Sequence, residues 1–130
     1  MIAKMLITIT AILYVVLLPL LEISPSHVFS LSWPAHARLH NVWQLATNAS
    51  IALLALYLCW FERRVRLASL LLLAPTAAFI AAWITSGAYG GSIDVEPGRD
   101  FQMFWRQPAG ILMTVLTIGL AHSALHGISD

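Results

Sequence analysis

Residues 34–61 read PAHARLHNVWQLATNASIALLALYLCWF. From Leu39 onward the stretch carries no Asp, Glu, Lys or Arg, and it exceeds the roughly 20 apolar residues needed to cross a bilayer. It reads as a membrane-spanning helix whose first turns, with His36 and Arg38, stand in the interface. Its polar residues are ordered: His36, His40, Gln44 and Asn48 follow one another at intervals of four. Residues i and i+4 are neighbours on a helix surface. The stripe drifts by about 40° per step and runs about 18 Å along the axis, so all four share one broad side. Polar groups at membrane depth are expensive and usually face a partner, a cavity or a ligand.

The rest of the chain agrees with a membrane setting. Of 130 residues 59% are hydrophobic and 10% charged, against about 25% charged in soluble domains. Three further apolar runs are expected to span, at about 2–21, 67–86 and 107–126, beside 34–61. The fold class is therefore an all-α membrane protein, a single four-transmembrane-helix bundle over 1–130. Pro19 is expected to bend the end of the first span and Pro75 to kink the third. Pro34 and Pro108 suit helix starts. The first run is long, and no small-x-small cleavage site follows it, so it reads as an uncleaved helix. No internal repeat or low-complexity tract stands out.

Orientation follows from Lys and Arg in short loops. Arg63, Arg64 and Arg66 lie in the tight turn between the second and third spans, which is expected in the cytoplasm. Lys4 and both termini then lie on that side too. Arg38, Arg99 and Arg106 fall on the other, leaving four positive charges inside against three outside. Trp33, Trp43, Trp60, Trp83 and Trp105 fall near span ends, as an aromatic belt does. The expected location is a bacterial inner (plasma) membrane. The lipid bilayer is the first partner, with membrane-protein partners or a homo-oligomer beside it. A net charge of +1 offers no basic surface for nucleic acid. The single cysteine, Cys59, excludes an internal disulfide and a Cys-based zinc site.

This layout gathers Glu22, His27, His36, Arg38 and His40 at the outer mouth, with Asp94, Glu96, Arg99 and Asp100 in the longest loop. His36 and His40 form an H-x-x-x-H pair. Two imidazoles one turn apart can ligate one divalent transition metal ion, and Glu22 or His27 could complete the set. The same His36, His40 and Glu22 could instead do acid–base work, because histidine titrates near neutrality. A third reading keeps the histidines as hydrated interfacial groups, with Arg38 on a lipid phosphate. Gln44 and Asn48 either line the pocket floor and hydrogen-bond a ligand or act as helix–helix glue. Asn48-Ala-Ser50 matches a glycosylation sequon, but its depth rules that use out. A second H-x-x-x-H pair, His122 and His126, is expected near the opposite face, about 30 Å away across the hydrocarbon. There the C-terminal helix dipole favours it. Gly90-Gly91 lacks the Lys-Ser/Thr context of a phosphate loop. No Ser-His-Asp set can be assigned by spacing.

The run Trp33-Pro34-Ala35-His36-Ala37-Arg38-Leu39-His40 resembles a motif of small bacterial four-helix membrane proteins of DoxX-like layout. The resemblance covers this run and the arrangement of spans. It implies the fold and carries over no reaction or catalytic residue. Two functions follow as expectations. The first is an outward-facing His/Glu pocket that binds a metal ion or a small lipophilic ligand, with or without acid–base catalysis. The second is a non-catalytic accessory subunit of a larger membrane complex. An oligomeric transporter is less suited, because no carboxylate sits mid-span for proton coupling.

Overall fold

The computed structural model describes residues 1–91 and 108–126. The loop residues Asp94, Glu96, Arg99, Asp100, Trp105 and Arg106, and Asp130 in the tail, lie outside the described residues. Every element among the described residues is helical: α1 Ile2–Ile12, a π-helical turn Leu13–Leu17, α2 Leu18–Glu22, α3 Ala35–Trp60, α4 Val65–Ile84, a 3₁₀ turn Ser86–Ala88, and α5 Pro108–His126. Four stretches are long and apolar enough to cross a membrane: Ile2–Glu22, Ala35–Trp60, Val65–Ile84 and Ala109–His126. They fall within two or three residues of the spans expected from the apolar runs.

The first span is continuous from α1 to α2 but changes winding before Pro19. Proline has no N–H, and its ring collides with the carbonyl four residues back. The turn ahead of it takes an extra residue, so that the Leu18 N–H reaches back to the Leu13 carbonyl. Such π turns relieve this conflict without ending a helix, and they gather at functional sites. Pro75 lies inside α4. One residue on, the Thr76 hydroxyl lies 3.1 Å from each of the Leu72 and Leu73 carbonyl oxygens. Pro34 caps α3 rather than opening it: its φ and ψ of −54° and 141° are extended, and Ala35 begins the helix.

Large apolar residues lie on the outside of the bundle as well as in its core. Ala11, Ala52, Ala55, Ala68, Cys59 and Ser69 are fully buried, while Leu53, Leu54, Leu70, Val115 and Ile118 are exposed on the outside. In lipid no hydrophobic gain drives helices together, so small residues that let backbones approach are favoured at the seams. Gly119 is one such approach: a Cβ there would lie 2.9 Å from Leu6 Cδ1, between α5 and α1. The α4–α5 seam also carries a buried hydroxyl pair, Ser69 and Ser123, at 2.8 Å. The α3–α4 turn is short because Arg63 adopts φ 56° and the Arg64 N–H returns to the Leu58 carbonyl at 2.8 Å. A left-handed conformation costs a non-glycine residue about 1–2 kcal/mol.

The serine pair gives the first prediction. Ser69→Ala is expected to lower stability by about 0.6 kcal/mol, the mean for hydrogen bonds between membrane helices, in a reversible detergent-denaturation titration. The Ser69→Ala/Ser123→Ala double variant should lose no more than the single one. Additive losses would mean the two hydroxyls do not depend on each other.

Candidate binding cavity

Between the four spans, at the Glu22 end, lies a cavity of about 420 Å³ lined by residues of every span. Its walls are mostly apolar, with Leu13, Leu17 and Phe79 among them. Its polar members are Tyr14, Glu22, Asn41, Gln44 and Asn48. The π turn contributes directly: Leu13, Tyr14 and Leu17 belong to it and line the space. Pro75 lines it from α4.

The α3 wall explains how the polar stripe divides. Asn41, Gln44, Leu45 and Asn48 line the cavity, at relative positions 0, 3, 4 and 7. Seven residues return to within about 20° of the same direction, so this row stays parallel to the axis while an every-fourth row turns away. His36 and His40, earlier on the every-fourth row, therefore point out of the bundle and are exposed. Their Nε2 atoms lie 2.9 Å apart, so one ring donates and the other accepts, and the His40 ring lies 5.8 Å from that of Trp43. His27 stays in the α2–α3 connection. Its Nδ1 lies within 3.3 Å of the Ser24 hydroxyl and 3.0 Å of the Ser26 hydroxyl, and its ring meets Trp33 edge-on. Arg38 is half-buried in the first turns of α3.

Glu22 ties the first span to α3 at this site by a side-chain hydrogen bond. The Asn41 amide donates to its carboxylate, Nδ2 to Oε2, at 2.9 Å. This bond fixes which end of the amide faces Glu22. The Asn41 carbonyl oxygen, Oδ1, is then buried with no partner. The Tyr14 hydroxyl is buried without one as well, with the residue 2% exposed. Among the described residues these are the only buried side-chain polar atoms left unsatisfied, and both belong to cavity-lining residues.

Glu22, Gln44 and Asn48 are thus brought together, and His27, His36, His40 and Arg38 are outside the cavity lining. Among the described residues no group of three or more His, Cys, Asp and Glu side chains could hold a metal ion. Sequence reasoning passed over Asn41 and Tyr14. Asn41 was legible from its spacing of three and seven to Gln44 and Asn48. A lone tyrosine in an apolar span carries no comparable mark. Comparison with protein-family models, with curated proteins and with solved structures gives no match to this chain.

The orphaned hydroxyl makes the second prediction. An unpaired buried polar group costs about 1–3 kcal/mol. Tyr14→Phe removes it while keeping the ring, so the ligand-free protein is expected to gain about 1 kcal/mol in the same detergent titration. A loss of that size would show that the hydroxyl has a partner in solution.

Proposed function

We propose that this chain is a small integral membrane protein that binds a lipophilic molecule bearing a hydrogen-bond-donating head, such as a hydroxyl or phenol, in the cavity between its four spans. The observation that carries the reading is the pair of unpartnered atoms in that cavity, the Asn41 Oδ1 and the Tyr14 hydroxyl. Asn41 Oδ1 can only accept, and the Glu22 carboxylate beside it accepts as well. The head that suits them is a donor, and the Tyr14 hydroxyl can answer in either sense. The apolar walls take the lipophilic body. A mostly apolar pocket with a few convergent polar groups is the usual form of a small-molecule site, and about 420 Å³ lies within its usual range of roughly 300–1,000 Å³.

Glu22 is the one carboxylate among the described lining residues and is placed to accept a hydrogen bond from the bound head. Gln44 and Asn48 extend the polar wall about 10 Å along α3 from Asn41. We assign the protein to a bacterial inner membrane, with the arginine turn and both termini in the cytoplasm and the Glu22 end outside, on the bias of Lys and Arg between the two sides. A metal site is the less favoured reading, because Glu22 is engaged by Asn41 rather than by a histidine. The accessory-subunit reading would use the outward face of His36, His40 and Trp43, all exposed. A partner held there would co-purify in mild detergent and be lost on His36→Ala/His40→Ala.

The test uses 4-hexylphenol and hexylbenzene, which differ by one hydroxyl. The purified protein is expected to bind the phenol about tenfold more tightly, the worth of one well-placed hydrogen bond to a buried acceptor, by calorimetry in detergent. Asn41→Leu should erase the difference while leaving the weaker affinity for hexylbenzene in place. His36→Ala/His40→Ala should change neither. Equal binding of the two probes by the unaltered protein contradicts the reading, and so does a stoichiometric transition metal whose loss follows His36→Ala/His40→Ala.

A further inference from the structure

The other end of the bundle holds a second and larger concavity, of about 840 Å³, between the start of α1, the α3–α4 turn and the last turns of α5. Its charged and titratable side chains are those of Lys4, Arg63, His122 and His126, and Met1 also lines it. Among the described residues no carboxylate lines it. The nearby Glu62 accepts a hydrogen bond from the Tyr57 hydroxyl at 2.8 Å, away from the groove. Lys4 Nζ stands 5.2 Å over the Trp60 ring, a contact that steadies the ammonium without neutralising it. His122 and His126 are one turn apart, with ring centroids 4.8 Å from each other. The carbonyls that end α5 would repel an anion, but Arg66 Nε donates to the Ala124 carbonyl at 3.1 Å and offsets that negative end.

Arg63 supplies an independent observation. It is the only described non-glycine residue with positive φ. Glycine makes such a turn freely, without the Cβ clash. A strained residue at a lined concavity is the pattern of a side chain needed there. The groove also has an apolar side, from Ile2 and Leu6. It lies at the end of a bundle of membrane-length helices, at headgroup level.

We propose that this groove binds the phosphate of an anionic phospholipid, with Lys4 and Arg63 on the phosphate oxygens, His122 and His126 at its edge, and an acyl chain along Ile2 and Leu6. Basic pockets between membrane helices recognise anionic headgroups in this way. Free phosphate offers the same oxygens, but it leaves the apolar side unused. The site is separate from the Glu22-end cavity and stands whether or not that cavity binds a ligand.

The deciding variant is Arg63→Gly, which removes the guanidinium and relieves the strained turn, so the protein is expected to melt no lower than the unaltered chain. Native mass spectrometry from micelles containing phosphatidylglycerol and phosphatidylcholine in equal amounts reads the bound lipid. The unaltered chain should retain phosphatidylglycerol, whose phosphate charge no choline offsets, with at least about a fivefold preference, the increment for one Lys or Arg near an anionic lipid surface. Arg63→Gly should reduce that preference about fivefold, and so should Lys4→Gln. Arg64→Gln, outside the groove lining, should leave it in place. The proposal is overturned if the unaltered chain shows no preference or if Arg63→Gly keeps it in full. Displacement of phosphatidylglycerol by millimolar inorganic phosphate would assign the groove to the free anion and overturn the lipid.

Discussion

A polar group inside hydrocarbon has no water to turn to, so it must find its hydrogen bond within the protein. Most of this structure obeys that constraint with short local bonds. Thr10, Thr76 and Thr117 return their hydroxyls to carbonyls three or four residues back, and Ser69 and Ser123 satisfy each other across the α4–α5 seam. The small residues of the seams allow that closeness, since Ala68 and Ala124 flank the serine pair and are buried with it. Against this background the Tyr14 hydroxyl and the Asn41 carbonyl stand out. They sit where the bundle fails to close, around a space that Pro19 and its widened turn help to shape.

The two ends of the molecule differ in chemistry. At the Glu22 end one carboxylate and three amides line a mostly apolar cavity. At the arginine-turn end cations meet at the surface, and the described lining offers them no anion. The helices hold these sites apart: α3 alone has 26 residues between Ala35 and Trp60, or about 39 Å. The histidine pairs follow the same division, His36 and His40 at one end and His122 and His126 at the other, so they do not form one site.

Much of the fold was legible in the amino-acid order, because long apolar runs have few alternatives in a membrane. The spans over 34–61 and 67–86 correspond to α3 and α4, with shifts at the ends where Pro34 caps and Arg63 reverses the chain. The candidate site was legible in part. Glu22, Gln44 and Asn48 belong to the cavity, but the every-fourth stripe implied a single face where the helix presents two. A row at intervals of four rotates by about 40° per step, and over three steps that carries His36 and His40 out of the bundle. The conflict at Pro19 was legible, but not that the helix answers it with a π turn over Leu13–Leu17 rather than a bend. Tyr14 was hidden because its meaning depends on which neighbours fail to reach its hydroxyl.

The proposed function has the cavity beside Glu22 take up a small organic molecule through Asn41 and Tyr14. Native mass spectrometry of the protein released from mild detergent reads that occupancy. A discrete adduct of a few hundred daltons, the size of a drug-like ligand that such a pocket encloses, is expected on the unaltered chain and at clearly lower occupancy on Asn41→Leu. A bare chain mass, or an adduct with the mass of a metal ion, would contradict it.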